Sequence, residues 1–567
     1  MAFDGVTTKL IVTELNQTIL NSRVEKIYVP NRNEIWLHLH TTDRKSVKLL
    51  ISIDANNCRL HLSNQVRNNP EKAPQFCMIL RKYLSGAKVI GITQIGLDRI
   101  VKITFENIDD FGDVVSKDLI IELMGKYSNI ILVDHEKIID SIRHVDITMS
   151  SVREVLPSRK YISPSSMGKL NFEEVSLEEF KNKIFEEIKK SEFEEICLSN
   201  IICNVFIGLS KNLLTTLCTS LEIPNELSKE NITSQILENI YTKLIQTLKL
   251  ANENNIKFLM NENKKDYTFN FSFDTSTSEF AENSYFLDEF YSQKENVSLL
   301  KSAKSNLQRD INSHISKITK KLNVVLKNLD EEPNLEKYKQ YGDLISCNIY
   351  RMEVGMKELE VENFYDNNNL VKIPLQINLT PSRNAQQYFK KYNKLKGSIL
   401  HAKEHKKEYE TELEYLRSVL FEIEQAESIF ELDEIHEEVT SAGYLKKNTK
   451  KGKKKDLPST PHEYEFEGVK ILAGRNNIQN DKLTLKMAKK NYMWLHTKNI
   501  HGSHVIIESE NINDELLFYA ANIAKKHSNA KDSSKVEVDY TLVKYVHKES
   551  GAKPGMVVYT DYKTIIV

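Results

Sequence analysis

The sequence is poor in the residues that build covalent or metal-bound frameworks. Its 567 residues include six cysteines, and no two of them form a Cys-x-x-Cys pair. Scattered cysteines are typical of reduced, mostly buried thiols in a cytosolic protein, and they argue against a zinc ribbon or a disulfide framework. The six positions are Cys58, Cys77, Cys197, Cys203, Cys218 and Cys347.

The sequence also lacks long apolar runs and an excess of one charge. No run approaches the ~20 apolar residues that a membrane-spanning helix needs. The segment Met1-Ala2-Phe3-Asp4-Gly5 has neither the basic start nor the apolar core of a secretory signal. The net charge is −1, so any affinity for nucleic acid must come from local clusters. We expect a cytoplasmic protein without a membrane partner.

What is abundant is charge of both signs. Charged residues make up 28% of the chain and hydrophobic residues 40%, as long solvated helices would require. At ~150 residues per domain, the length predicts three or four structural units. Period-two or buried apolar runs predict strands, and amphipathic runs predict helices, in residues 1 to about 165. The strands are predicted at 34–39, 47–51 and 100–105, and the helices at 4–21 and 73–85.

Residues 170 to about 260 are predicted to be helical, with a tight turn at Gly208-Leu209-Ser210. Two later stretches have apolar residues at the steps of four and three that are typical of coiled coils. The first is 297–329, and the second runs from Tyr388 to Ile423, interrupted at Lys406. Two such helices separated by about 55 residues predict an antiparallel hairpin with a small domain at its far end.

Charge is segregated along the second coiled-coil stretch. From Pro381 to Lys407 there are eight basic residues and one acidic residue, and from Glu408 to Glu438 twelve acidic residues and one basic residue. Most charge runs only solvate a helix face. Segregation to opposite ends indicates in addition a basic hairpin tip that suits an anionic surface such as rRNA.

A lysine-rich run follows the second helix, and it is predicted to be a flexible linker that can also contact phosphates. Its lysines are Lys446, Lys447, Lys450, Lys451, Lys453, Lys454 and Lys455.

The densest group of RNA-binding residue types lies in the C-terminal region. Amide, imidazole and cationic side chains grip phosphates and base edges, and Trp or His stacks on unpaired bases. We therefore predict an RNA site, against the alternative of a solvated loop followed by a strand. The candidate residues are Arg475, Asn476, Asn477, Gln479, Asn480, Trp494, His496, Lys498, Ser503 and His504.

A metalloenzyme is a further alternative, since His496, His501 and His504 lie within nine residues. Their spacing matches no helical i, i+4 pair, and no carboxylate is placed to activate a water. We expect no metal and no other cofactor.

Several motifs together resemble the NFACT family. They are Gly474-Arg475-Asn476-Asn477-Ile478-Gln479-Asn480-Asp481, Trp494-Leu495-His496-Thr497-Lys498, Gly502-Ser503-His504, Gly551-Ala552-Lys553-Pro554-Gly555, Asp98-Arg99, Glu122-Leu123-Met124-Gly125-Lys126-Tyr127-Ser128-Asn129, Tyr341-Gly342-Asp343-Leu344 and Asn384-Ala385-Gln386. The resemblance covers nearly the whole chain. One departure is His501, which stands where the family usually has proline before Gly-Ser-His.

The resemblance implies a multidomain α+β protein whose N-terminal domain has a DNA-glycosylase-like α/β fold. The glycosylase nucleophile, an N-terminal proline, is absent because Ala2 follows Met1, so neither that chemistry nor a DNA substrate is expected. Five segments follow in chain order: an N-terminal NFACT domain at 1–168, a helix-hairpin-helix domain at 169–290, an antiparallel coiled coil with a middle domain at 291–440 (tip at about 331–385), a basic linker at 441–460, and an α+β RNA-binding NFACT-R domain at 461–567.

The resemblance also implies a ribosome-associated quality-control factor rather than an enzyme. Such factors bind the obstructed large ribosomal subunit with its peptidyl-tRNA and recruit alanyl-tRNA for C-terminal alanine tailing without mRNA. They position tRNA for the ribosomal peptidyl transferase centre. Asp98 and Arg99 occupy the family's tRNA-engaging motif. Two alternatives stay open: a fibronectin-binding surface adhesin, and a general RNA chaperone without tRNA selectivity.

Overall fold

The computed structural model describes residues 3–109, 111–150, 152–164, 168–261, 265–272, 282–446 and 459–567. The lysines of the predicted linker from Lys447 to Lys455 lie outside these residues. The chain forms two compact units, Met1–Asn296 and Val297–Val567. No helix in the described ranges is long and apolar enough to cross a membrane.

Within the described residues, the first unit contains an antiparallel sheet of nine strands in the order β4-β3-β2-β1-β5-β6-β7-β8-β9. The strands are β1 (Arg23–Asn31), β2 (Glu34–His40), β3 (Ser46–Ser52), β4 (Arg59–Leu62), β5 (Lys88–Gln94), β6 (Ile100–Ile108), β7 (Val114–Glu122), β8 (Asn129–Asp134) and β9 (Lys137–Ser141). Helices α1 (Gly5–Ile19) and α2 (Gln75–Leu84) pack on the sheet. The three predicted strands and two predicted helices in this region are present.

Short helices and two small two-stranded sheets, β10-β11 and β12-β13, complete the first unit. They are α3 (Leu177–Lys190), α4 (Leu198–Val205), α5 (Lys211–Ser220), α6 (Ser234–Asn252), β10 (Glu195–Cys197), β11 (Glu226–Ser228), β12 (Phe258–Met260) and β13 (Tyr267–Phe269). Apolar side chains of these elements and of the nine-stranded sheet belong to one continuous core.

The second unit is built on long helices. Helix α7 (Asn283–Asp330) begins before the unit boundary, and α8 (Pro333–Cys347), α9 (Pro381–Gln425) and α10 (Ile429–Ser441) follow, with the hairpin β14 (Glu358–Asn363) and β15 (Asn369–Pro374) between α8 and α9. Both long helices predicted from the coiled-coil spacing are present, as α7 and α9.

Helices α7 and α9 run antiparallel and share an apolar seam. Leu307 and Ile311 of α7 lie in the same buried cluster as Leu416 and Ile423 of α9. At one end of the pair, Lys304 Nζ donates a hydrogen bond of 2.8 Å to the Glu424 carbonyl. Toward the other end, Lys403 of α9 forms a 2.5 Å ion pair with Glu332, which lies just beyond α7.

The C-terminal part of the second unit is an antiparallel sheet with helices, in the strand order β16-β17-β19-β18-β20-β23. Its elements are β16 (His462–Phe466), β17 (Val469–Ala473), α11 (Asn477–Lys482), β18 (Met493–Thr497), β19 (Val505–Ile507), α12 (Asp514–Lys526), β20 (Glu537–Leu542), β21 (Val546–His547), β22 (Val558–Tyr559) and β23 (Lys563–Ile566). Because side chains alternate along a strand, Leu495 faces the core under α12 and Trp494 belongs to a second core on the opposite face.

Two glycines allow the turn between β5 and β6 to pack closely against the helical part of the first unit. Gly5 N donates to Gly208 O over 2.7 Å, and Gly208 has a φ of +77°. A Cβ at Gly5 would lie 2.0 Å from the Leu97 carbonyl oxygen, and one at Gly208 only 1.7 Å. Any side chain at either position would displace the β5–β6 turn.

Replacing Gly208 by alanine is expected to destabilise the first unit by roughly 3 kcal/mol or more, since it adds a backbone clash to left-handed strain. Gly86→Ala is the matched control, because Gly86 has nearly the same φ (+76°) with no atom within 4 Å of an added Cβ. The control should cost only about 1 kcal/mol. Denaturant unfolding measures both, and equal losses would contradict the close approach.

Candidate functional site

Asp98 and Arg99 lie in the turn that connects β5 to β6. Both side chains are half-buried. Asp98 Oδ1 accepts a 2.7 Å hydrogen bond from the Arg99 backbone N–H. Gln94 Nε2 donates to the carbonyl of Asp98 (2.7 Å) and to that of Gly5 (2.9 Å), which ties the turn to the start of α1. In a regular strand, two adjacent side chains point to opposite faces of the sheet. Asp98 and Arg99 lie in a turn and are not bound by this alternation.

The turn between β7 and β8 lies at the same end of the sheet as Asp98 and Arg99. Leu123 N donates to the Arg99 carbonyl over 2.9 Å. In this second turn, Tyr127 is 69% exposed, and Lys126 Nζ lies 4.8 Å from the centre of its ring. The Lys126 ammonium group and the exposed Tyr127 ring therefore lie at the same end of the sheet as the turn that contains Asp98 and Arg99.

Buried polar residues hold the β7–β8 turn in place. Glu122 is fully buried and accepts two hydrogen bonds from the Arg153 guanidinium, of 2.7 and 2.5 Å, and one from Tyr161 Oη of 2.9 Å. Arg143 Nη1 donates to the carbonyls of Lys126 and Ser128. Glu122 through Asn129 was one of the motifs in the sequence, but only the structure separates its buried anchor from its exposed Lys126 and Tyr127.

In the second unit, the polar run after β17 folds into a short buried helix rather than a solvated loop. Asn476 caps α11, since its Oδ1 accepts a 2.8 Å bond from Gln479 N. Asn476, Asn477, Gln479 and Asn480 are all buried, and Arg475 is half-buried.

Three residues of this run bind side chains of α9 and α10 within the acidic stretch 408–438. Arg475 Nη1 lies 2.7 Å from Glu431 Oε1, and Asn476 Nδ2 donates to Glu434 over 3.0 Å. The Asn477 amide donates to Ser418 Oγ (3.2 Å) and Glu438 (3.3 Å). The acidic stretch 408–438 therefore has an intramolecular role that the sequence analysis missed. The opposite charge of Arg475 was the available signal.

The other two residues of the run hold the local backbone. The Gln479 side chain accepts from Arg475 N over 2.8 Å and donates to the Ser459 carbonyl over 2.6 Å. Asn480 Oδ1 accepts from His504 N over 3.1 Å. It would lie 2.1 Å from a Cβ at position 474, so this close approach requires Gly474.

Four of the candidate residues line one cleft of about 560 Å³ between α9 and the C-terminal sheet: Asn477, Trp494, His496 and His504. Two others lie elsewhere. Lys498 pairs with Glu537 at 3.2 Å, and Ser503 lies beside Arg475 and Asn480 at a separate, much smaller cavity.

The two central histidines of the cleft are uncharged at neutral pH. Burial lowers the pKa of His504 to about 3 and that of His496 to about 4. His504 Nδ1 lies 2.8 Å from Thr484 Oγ1. Within the described ranges, no group of three His, Cys, Asp or Glu side chains is arranged to hold a metal ion. The His496 and His504 rings at the cleft are therefore neutral groups that can form hydrogen bonds.

Two buried carboxyl groups, Glu422 of α9 and Glu438 of α10, lie where these helices meet α11. Tyr415 Oη donates to Glu438 over 2.9 Å. Burial raises the pKa of Glu438 to about 7, and the hydrogen bonds from Tyr415 and Asn477 oppose that rise. Burial and the nearby Glu438 raise the pKa of Glu422 well above its ordinary value. This contact of α9 and α10 with α11 is therefore most stable when the carboxyl groups are protonated.

Comparison with known proteins finds two family models that together match most of the chain. The model of the NFACT N-terminal and middle domains matches residues 4–457. The model of the NFACT protein RNA binding domain matches residues 462–561.

Individual proteins are similar over the whole length. Rqc2 homolog RqcH of Bacillus subtilis is 34% identical across 100% of this chain and 98% of that protein. Rqc2 homolog RqcH of Streptococcus suis is 35% identical with the same coverage of both chains. The human ribosome quality control complex subunit NEMF is 29% identical over 25% of this chain and 12% of its own length.

Replacing Glu438 by glutamine is expected to leave stability unchanged near pH 4 and to raise it by roughly 3 kcal/mol at pH 8. A carboxyl whose folded-state pKa is raised stabilises the fold fully below its unfolded value, 4.5, and this stabilisation is lost as the pH rises through about 7. Glutamine remains neutral and can still accept from Tyr415. Melting curves of the variant across this range measure the effect. Glu437→Gln, at an exposed neighbouring position, is the control, and a pH-independent difference would contradict the account.

Proposed function

The chain belongs to the NFACT family, and from this premise we propose that it is a ribosome-associated quality-control factor. In this proposal it binds the obstructed large ribosomal subunit that still carries peptidyl-tRNA. It recruits alanyl-tRNA, so that the stalled nascent chain receives a C-terminal alanine tail without mRNA and is marked for degradation. The protein acts in the cytoplasm, in association with ribosomes.

The observation that carries the proposal is the full-length similarity to the two RqcH proteins, together with the RNA-binding-domain match at residues 462–561. The human relative, a ribosome quality control complex subunit, supports the same setting over a quarter of the chain. Peptide-bond chemistry stays with the ribosome in this proposal, so the factor contributes binding and positioning.

We assign tRNA contact to the end of the first unit's sheet that carries Asp98 and Arg99. A guanidinium grips a phosphate or a guanine edge with two hydrogen bonds, and a carboxylate accepts from exocyclic amines. The exposed Lys126 and Tyr127 extend this surface with a cation and a ring suited to stacking. Two short turns on a rigid sheet give the pre-organised geometry that selective positioning requires.

We assign contact with ribosomal RNA to the second unit. The basic half of α9 supplies charge for phosphates, and Trp494, His496 and His504 supply polar rings at the cleft. Lys498 and Ser503 lie outside the cleft, and we assign them further contacts with the RNA. Arg475, Asn476, Asn477, Gln479 and Asn480 support binding by fixing the cleft wall, since their side chains bond to protein groups.

The test is to purify the tagged chain at gentle salt and sequence the RNA that accompanies it, beside the double variant Asp98→Ala, Arg99→Ala. Large-subunit rRNA and alanine tRNA are expected with the unmodified chain. The variant should retain the rRNA and lose at least tenfold in tRNA enrichment, because it removes the paired contacts to tRNA.

A matched control exists in the same sheet. Asp43 and Arg44 form a second Asp-Arg pair, exposed in the turn between β2 and β3 at the opposite end of the strands. Asp43→Ala, Arg44→Ala should leave both RNAs unchanged. Absence of ribosomal RNA would favour the adhesin alternative, and RNA without tRNA selectivity would favour the chaperone alternative.

A further inference from the structure

Strand β16 is a free edge of the C-terminal sheet. It is the end strand of that sheet and pairs with β17 along its whole length. Among the described residues, no loop or further strand forms backbone hydrogen bonds with residues 462–466. At every second residue of an edge strand, the N–H and C=O point away from the sheet. The backbone of β16 can therefore pair with an extended segment of another molecule.

An aromatic pocket lies where β16 meets α12. Its volume is about 530 Å³, and Phe466, Phe518 and Tyr519 form its apolar lining. The Phe466 and Tyr519 rings stack at 4.7 Å, whereas Phe518 is 52% exposed. A ligand can therefore reach the Phe518 ring without any movement of the fold.

The polar rim of the aromatic pocket is acidic. Asp514 and Glu515, in the first turn of α12, line it, and none of its described lining residues is lysine or arginine. Both carboxylates are exposed. The run 508–515 as a whole holds four acidic residues and no basic one. Such a rim repels phosphates and attracts a cation.

The same seam between β16 and α12 already holds one cation of the chain itself. Tyr464 lies two residues before Phe466, on the same face of β16, and Lys526 Nζ of α12 lies 5.3 Å from the centre of its ring. No lysine or arginine of the described residues lines the aromatic pocket. A cation of another molecule can occupy the equivalent place over the pocket rings.

A second copy of this chain does not match the edge. Glu463 and Glu465 are exposed on the face of β16 opposite Tyr464 and Phe466. In an antiparallel pair of two β16 strands centred on Tyr464, Glu463 of each copy would lie opposite Glu465 of the other, and like charges in this position are destabilising. Lys470 pairs with Glu463 at 2.9 Å, so it does not neutralise both. A basic segment meets no such repulsion.

We propose that the β16 edge and the aromatic pocket together bind an extended, arginine-containing segment of a partner protein. The segment pairs with β16 as an added strand, and its arginine side chain enters the pocket. The planar guanidinium stacks on Phe518 and donates hydrogen bonds to Asp514 or Glu515. Arginine is favoured over lysine, because a guanidinium can stack on a ring and donate two hydrogen bonds at once. This inference goes beyond the proposed function and does not depend on it.

Fluorescence anisotropy with labelled peptides tests the proposal on the full chain. The probe is a short peptide of alternating threonine and valine with one central arginine, and its matched forms carry lysine or glutamine in that place. The arginine form is expected to bind about fivefold tighter than the lysine form and about tenfold tighter than the glutamine form. No saturable binding of the arginine form, or equal binding of the glutamine form, would overturn the proposal.

Methylation of the peptide's backbone nitrogens tests the added strand separately. A strand that pairs with β16 directs every second N–H toward it. N-methylation of one alternate set of amides should therefore abolish binding, and methylation of the other set should change the affinity by no more than about twofold. Binding that survives both modifications, or that is lost in both, would contradict strand addition.

Variants of the chain locate the arginine. Asp514→Asn, Glu515→Gln should weaken binding of the arginine peptide about tenfold and remove its preference over the glutamine form. Phe518→Leu keeps an apolar side chain without the ring and should weaken binding about fivefold. Asp532→Asn, Glu549→Gln is the matched control, since both residues are exposed in the C-terminal region and neither lines the pocket. An equal loss in the control would contradict the pocket assignment.

Two other occupants of this surface give different results. A second copy would appear in analytical ultracentrifugation as a dimer that the arginine peptide dissociates. An RNA would lose affinity for the chain in the Phe518→Leu variant, whereas we expect this variant to bind purified large-subunit rRNA as the unmodified chain does. Either the dimer or a loss of rRNA binding that matches the loss of peptide binding would overturn the proposal.

Discussion

The C-terminal architecture depends on the buried contact among Glu438, Tyr415 and Asn477. It joins α9 and α10 to α11, and with the Arg475–Glu431 ion pair it sets where the C-terminal sheet lies against α9. Burying carboxyl groups is costly unless they are protonated or well paired. The raised pKa of Glu438 favours its protonated form, and its hydrogen bonds with Tyr415 and Asn477 pair the carboxyl group. The cleft beside α9 exists because this contact holds its two walls together.

In the first unit, too, buried contacts hold the turns that we propose to bind RNA. Glu122, Arg153 and Tyr161 form a buried polar anchor below one turn, and Gly5 and Gly208 let the neighbouring turn approach the helices. Neither group needs to touch RNA to be essential. Both keep the Asp98-Arg99 turn and the Lys126-Tyr127 turn at one end of the sheet, where the proposed tRNA contact is made.

Periodicity predicted the strands and the long helices because apolar spacing reports directly on burial. Contacts between residues distant in sequence were harder to predict. The polar run from Arg475 to Asn480 has the composition of an RNA site, yet its buried side chains bond to α9, to α10 and to the nearby backbone. Composition does not distinguish a hydrogen bond to RNA from one to the protein. The cleft could not be predicted from the sequence, since its walls come from residues more than 130 positions apart, such as Glu414 and Glu549. The proposed tRNA and RNA contacts stay predictions.

The most direct measurement is a cryo-electron microscopy reconstruction of the chain bound to large ribosomal subunits with peptidyl-tRNA and alanyl-tRNA. The account predicts tRNA density within hydrogen-bonding distance of the Asp98-Arg99 turn and beside Tyr127. A tRNA bound instead at the opposite end of the sheet, near Asp43 and Arg44, would contradict it. So would subunits that carry no bound chain.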